Sequence, residues 1–227
     1  MYLKYENTGM TAKSIKENGF IMLQLLAATG NQHKIVEFRT LLADLNSRVN
    51  IVTPDTIPNF PELIEDGKSF EENAERKAEQ ASAYADMVAF ADDSGLEVEA
   101  LNGAPGIYSA RYAGEGATDA QRIEKLLNAM NGQTNRKARF VCVIAIAYRG
   151  DDVALFRGEV RGTIADAPRG TNGFGYDPVF IPDGYDKTFG ELPKEVKDAI
   201  SHRANAIGKA VKFIRAELDS MDDFEFV

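Results

Sequence analysis

The 227-residue chain has one cysteine, two histidines and no tryptophan. A lone Cys142 excludes an internal disulfide framework, and one Cys with two His cannot build a four-ligand zinc site. Cys142 sits inside an apolar run and reads as an inert, buried small hydrophobe. This cysteine usage points to a reducing, cytoplasmic setting. No apolar run approaches the roughly 18 residues of a membrane span. The opening Met1-Tyr2-Leu3-Lys4-Tyr5-Glu6-Asn7 lacks the apolar core of a signal peptide. Positive charge is also scarce, with 26 Lys and Arg against 35 Asp and Glu, a net charge of −9. That balance argues against a nucleic-acid partner of the electrostatic kind, and no membrane partner is expected. A phosphate ligand would meet an opposing overall field, so lysines at the ends of apolar elements gain weight.

What is present reads as one large α/β domain with a mixed sheet. Residues 1–21 are polar and aperiodic, a leader expected to be disordered, vector-derived or loosely docked, and the domain proper is expected over 22–227. Ile21 to Ala28 is an apolar run of strand length, ended by Thr29-Gly30-Asn31. A helix follows with Ile35, Phe38, Leu41, Leu42 and Leu45 on one face. Val49 to Val52 is a short strand before a loop holding Pro54, Pro58 and Pro61. Phe70 to about Asp86 is a helix whose alanines 74, 78, 81 and 85 form a small-residue face. Met87 to Ala91 reads as a buried strand. Thr118 is the expected N-cap of a helix with Ile123, Leu126, Leu127 and Met130. Phe140 to Tyr148 is apolar on both faces, as in a central strand. A turn at 149–152 leads to Val153–Ile164, its expected antiparallel partner. The last helix runs from Ser201, with Ile207, Val211, Ile214 and Leu218 on one side.

Four segments carry polar residues without an evident structural duty. The most informative is Ala91-Asp92-Asp93-Ser94-Gly95, two adjacent carboxylates at what reads as the carboxyl end of a strand, where α/β proteins bind ligands. Mg²⁺ is an economical neutraliser, since it takes one or two carboxylates and leaves its other positions to water and phosphate. A capped turn is the alternative on these residues alone. The second segment, Thr29-Gly30-Asn31-Gln32-His33-Lys34, is a strand-to-helix turn able to receive an anion. It is not a P-loop, and Gly67-Lys68-Ser69 is a decoy because Glu62 occupies the first glycine position of that pattern. In the third, Glu65 precedes a helix with Asn73 and Lys77 at i and i+4. This pair is expected opposite the alanine face, by default a solvated one. The fourth is Gly173-Phe174-Gly175-Tyr176-Asp177-Pro178, followed by Lys197 and Ser201-His202-Arg203. Phe174 and Tyr176, between glycines, look like poor core residues and good platforms for a planar ring.

Taken together these segments resemble one family. Ala28-Thr29-Gly30-Asn31-x-x-Lys34, Glu72-Asn73-Ala74-x-x-Lys77-Ala78, Ala91-Asp92-Asp93-Ser94-Gly95-Leu96, Gly103-Ala104-Pro105-Gly106-Ile107-Tyr108-Ser109-Ala110-Arg111-Tyr112, Gly173-Phe174-Gly175-Tyr176-Asp177-Pro178 and Ile200-Ser201-His202-Arg203 look like the inosine triphosphate pyrophosphatase family. The likeness runs in order from about Met22 to about Leu218. Two departures are His33, where bacterial members often have Gly, and the leader, which the family pattern lacks.

The resemblance implies an elongated mixed β-sheet flanked by helices, with two lobes and a nucleotide cleft between them. It also implies Mg²⁺ dependence, a homodimer, and hydrolysis of ITP, dITP and XTP to the monophosphate and pyrophosphate. Carried over residue by residue, it makes Asp93 the base that activates water. Glu65 and Asp93 become metal carboxylates, with Asp92 as a further candidate. Thr29, Gly30, Asn31, Gln32, His33, Lys34, Asn73 and Lys77 are expected along the triphosphate, and Ser94 against the substrate. Phe174, Gly175, Tyr176, Asp177, Lys197, His202 and Arg203 are expected at the base, where a donor such as Arg203 favours a 6-oxo purine over a 6-amino one.

Overall fold

The computed structural model describes residues 15–17, 20–45, 48–148 and 153–224, without the side chains of 15–17, 20, 21, 32, 33, 41, 44 and 221–224. The first long strand, β2 (Phe20–Ala27), begins one residue earlier than its apolar run predicts. Before it, β1 (Ile15–Glu17) pairs antiparallel with Phe20–Met22, so part of the segment read as leader joins the sheet. Leader residues 1–14, 18 and 19 lie outside the described residues. Leu25 and Leu26 of β2 are almost wholly buried, as expected of a strand with parallel neighbours on both sides. Those neighbours are β3 (Val49–Val52) and β4 (Val88–Val98), with Leu25 opposite both Ile51 and Val88.

The remaining strands are β5 (Lys137–Ala147), β6 (Ala154–Ile164) and β7 (Phe180–Pro182). The seven-stranded sheet runs β1-β2-β4-β5-β6-β7, with β3 also on β2. Parallel pairing at β2–β3 and β2–β4 and antiparallel pairing at β1–β2 and β6–β7 make it a mixed sheet, as expected. The turn expected at 149–152 lies outside the described residues.

Helix α1 (Gln32–Leu41) is shorter than its stripe, because Leu42 and Leu45 are buried through a following 3₁₀ turn at Ala43–Leu45. Helix α2 (Phe70–Ala85) starts where the Ser69 hydroxyl accepts from the Glu72 amide while the Glu72 carboxylate accepts from the Lys68 amide. The Gly67-Lys68-Ser69 triplet is thus a helix start. Helix α3 (Asp119–Ala129) carries the expected Thr118 cap, closed reciprocally by Gln121. Three short elements escaped the sequence reading, β1, β7 and α4 (Lys194–Ile200), each below the length at which a periodic pattern can be counted. The last helix, α5 (His202–Phe224), starts against β6 so closely that a Cβ at Gly158 would lie 2.2 Å from the His202 carbonyl oxygen.

Two expectations are corrected. β4 does not end at Ala91 but continues through Asp92-Asp93-Ser94-Gly95 to Val98, so the paired carboxylates lie within a strand. Neighbouring cations, described below, make the buried position of Asp92 tolerable. Asn73 and Lys77 are not on a solvated face, since they are 1 % and 6 % exposed beside the buried alanines 74, 78 and 81.

Two compact units divide the chain. One comprises Met1–Asp92, Ile144–Phe156 and Ile207–Val227, and the other Asp93–Val143 and Arg157–Ala206. In the first, Ala74, Ala78 and Ala81 of α2 are fully buried, and Phe38 packs on Phe90 with ring centroids 4.2 Å apart. In the second, Leu96, Leu126, Phe140, Val179, Phe180 and Phe189 build the core. No helix among the described residues is long and apolar enough to cross a membrane.

Candidate active site

In the first unit, the turn after β2 is organised by its own polar residues. The Asn31 amide donates to the Thr29 hydroxyl, and the Lys34 amide donates to Asn31 Oδ1, so Asn31 caps α1. This places Lys34 in the first helical turn, where its ammonium reaches Asp92 Oδ2 at 2.8 Å. The side chains of Gln32 and His33 are outside the described ones.

Lys77 arrives from α2 and donates to Glu65 Oε1 at 2.6 Å and to the Asp92 carbonyl oxygen at 2.7 Å. Asn73, one turn earlier, accepts from the Gly67 amide at 2.8 Å, which shapes the entry to α2. A cavity of about 760 Å³ collects Thr29, Gly30, Asn31, Lys34, Glu65 and Lys77. The 54–65 loop forms another part of its wall and adds Asp55 and Glu62. Sequence reasoning missed these two, because a carboxylate in a proline-rich loop carries no local signal of which surface it lines.

Two ammonium groups set among carboxylates, at a capped helix start, form a site of alternating charge at the positive end of the helix. Such an arrangement can take a polyanion, whose phosphates compete with the carboxylates for the lysines. Among the described residues, no group of three or more His, Cys, Asp or Glu side chains could by itself hold a metal ion. The donors that the first unit brings together around Lys77, Glu65 and Asp92, are hard carboxylate oxygens. They fit Mg²⁺ bound through one or two carboxylates and completed by water and phosphate, rather than a cation caged by protein alone.

In the second unit, Asp93 is 8 % exposed and its Oδ1 accepts from the Ser94 amide at 3.0 Å. The Ser94 hydroxyl lies 3.2 Å from Arg203 Nη2. Arg203, in the first turn of α5, also stands over the Phe174 ring at 5.6 Å, and Lys197 of α4 stands over the same ring at 4.7 Å. Lys197 donates in turn to Asp177 Oδ2 at 2.5 Å. Burial pushes the Asp177 carboxyl up, against the opposing pull of Lys197, the Phe174 amide and Arg203. Gly173 leaves room for this carboxylate, since a Cβ there would lie 2.0 Å from Asp177 Oδ2 and its φ is +74°. Ser94, Phe174, Asp177, Lys197 and Arg203 are therefore one connected cluster. His202 stacks on Phe140, centroids 4.8 Å apart, and is 5 % exposed.

Tyr176 departs from its expected role. It is 4 % exposed and belongs to the apolar core, so its ring offers no platform. Its hydroxyl donates to the Ser109 carbonyl at 2.9 Å, and burial keeps it protonated by pushing its pKa far up. The neighbouring glycines made it look exposed, yet its hydroxyl is tied to Ser109 and its ring lies in the core.

Fold and site define an α/β protein with a lysine–carboxylate pocket in one unit and a cation–aromatic cluster in the other. The Ham1 family pattern matches residues 25–213. A dITP/XTP pyrophosphatase of Desulfotalea psychrophila is 49 % identical over 193 residues, covering 85 % of this chain and 84 % of that protein. Among solved structures, the Staphylococcus aureus Ham1 protein aligns with a TM-score of 0.79 at 45 % identity, covering 86 % of this chain and 99 % of that one. A HAM1 protein from Coxiella burnetii aligns with a TM-score of 0.81 at 40 % identity, covering 86 % and 100 %. The chain belongs to the Ham1 family. The family resemblance and the α/β fold expected from the sequence are thereby borne out.

Proposed function

We propose that this protein hydrolyses ITP, dITP and XTP to the monophosphate and pyrophosphate, clearing them from the nucleotide pool. The observation that carries the reading is the pair of lysines, Lys34 and Lys77, converging on Asp92 from two different helices. The names of the curated relatives support it. The lysines and the 29–34 turn at the start of α1 hold the triphosphate, with the side chains of Thr29 and Asn31 as further donors. Asp93 is the base that takes a proton from the attacking water as it approaches the α-phosphorus. Negative charge then grows on the leaving pyrophosphate, where Lys34 and Lys77 oppose it. Mg²⁺, held by Glu65 and Asp93 with Asp92 as a further ligand, supplies additional positive charge to the phosphate oxygens when bound.

Arg203 and Lys197, with Phe174 beneath them, read the base. A hypoxanthine or xanthine 6-oxo group accepts from such a donor, whereas the adenine 6-amino group leaves it unpaired, a mismatch that costs a site heavily. Ser94 relays from Arg203 toward the substrate, and His202, beside Arg203 at the start of α5, belongs to the base site as well. The enzyme works in the cytoplasm as a homodimer, without a nucleic-acid or membrane partner. Its one cysteine, buried within β5, supports the reducing setting.

The test is product analysis. Incubation with ITP, dITP or XTP and Mg²⁺ yields equal amounts of monophosphate and intact pyrophosphate, and EDTA abolishes the reaction. Stepwise release of inorganic phosphate through a diphosphate would refute attack at the α-phosphorus.

A further inference from the structure

Phe174 owes its position to a carboxylate far away in the chain. Its own amide donates to Asp177 Oδ2 at 2.8 Å, a local turn. The next amide, Gly175 N–H, donates at 2.7 Å to Oδ2 of Asp119, at the start of α3 and 56 residues earlier. Two consecutive amides flanking the aromatic ring are thus held by carboxylates from two elements. The other Asp119 oxygen pairs with Arg122, and Arg122 in turn donates to the carbonyls of Ala110 and Ala117. The capping box at Thr118 fixes the same helix start. The Tyr176 hydroxyl ties the far side of the loop to Ser109. Gly173 and Gly175, with φ of +74° and +62°, let the chain bend at both sides of Phe174, so external ties must choose its orientation.

An acidic residue in the first turn of a helix, paired with Arg at i+3, has an ordinary role as a helix stabiliser. That role needs one Asp119 oxygen and says nothing of the other, which reaches the 173–177 loop.

We propose that Asp119 is a positioning residue for base discrimination. It holds the Gly175 amide so that Phe174 stays under Lys197 and Arg203, and Arg122 holds Asp119. This rests on the base-reading role given above to Phe174, Lys197 and Arg203.

Steady-state kinetics of the full chain with Mg²⁺, ITP and ATP test the idea. Asp119→Ser suits a helix start but is too short to reach Gly175. It is expected to raise KM for ITP about tenfold, leave kcat within about threefold, and lower the ITP-to-ATP ratio of kcat/KM about tenfold. Asp119→Asn, which keeps one acceptor oxygen, is expected to fall between Asp119→Ser and the wild type. A purely helix-stabilising role moves the melting temperature while leaving KM and the ratio alone. Values within twofold of wild type for Asp119→Ser would overturn the proposal, as would a fall in kcat at unchanged KM. If Asp119→Ser fails to fold, Asp119→Asn decides by the same criteria. Wild-type protein that releases no pyrophosphate from ITP refutes the proposed function itself, and the positioning role with it. Active wild type with an unaffected variant refutes the positioning role alone.

Discussion

The Lys34 ammonium lies 2.8 Å from Asp92 Oδ2, and the Asp92 side chain is 1 % exposed while that of Lys34 is 16 % exposed. A carboxylate so far from water depends on its cation, because the cost of desolvating the ion is recovered only through close partners. Lys34 is exposed enough to face a ligand as well, so one ammonium group serves both folding and the proposed triphosphate contact.

Lys34→Met keeps the aliphatic stem and removes the charge. Unfolding in urea is expected to show a loss of about 3 kcal/mol, the scale for removing one member of a buried pair. Affinity for triphosphate should fall in parallel. Unchanged stability would show that Asp92 is compensated by its other surroundings.

Asp93→Asn preserves shape and removes the proposed base. A fall in kcat of about 10²–10⁴ is expected, the range for a positioned acid–base group, with nucleotide affinity much less affected. Near-normal turnover in a single-turnover assay would move the assignment to Asp92.

Arg203→Ala removes the donor that contacts both Ser94 and the Phe174 ring. The ITP-to-ATP ratio of kcat/KM should collapse, because only the oxo purine loses a partner. Equal losses on the two substrates would transfer Arg203 to phosphate binding.

Glu159 sets a pH dependence outside the site. Burial alone would raise its pKa, but the Arg157 hydrogen bond and the charges of Arg139, Arg157 and Arg161 together outweigh burial and hold it below the ordinary 4.5. With the folded value below the unfolded one, the unfolded chain binds the proton more readily. The Glu159 contribution to stability is therefore present above about pH 4.5 and disappears as pH falls through the lowered value. Glu159→Gln should melt below wild type at neutral pH and converge with it in acid. Parallel melting curves across that range would rule this linkage out.

Much of the architecture was legible without coordinates. The apolar run of β2, the alanine face of α2, the Thr118 cap and the buried stripe of α5 are local patterns, set by residues within a few positions of one another. Adjacent carboxylates, the Asn31 turn and the Phe174 loop were visible as candidates for the same reason. Which of those residues meet was not. The continuation of β4 through Asp92 and Asp93 was hidden, because a buried carboxylate such as that of Asp92 needs a cation, and Lys34 supplies it from α1, far away in the chain. Tyr176 looked like a platform, but its bond to Ser109, 67 residues away, and its packing put it in the core. Asp119 went unnoticed in the sequence, since no local pattern links it to an amide 56 residues away. The sequence by itself determined the longer strands and helices and the caps that start them, because propensity, capping and periodicity act over short range. Only the tertiary structure decided which charges pair, which rings are covered and which loops are tied together, because those depend on contacts between residues distant in the chain.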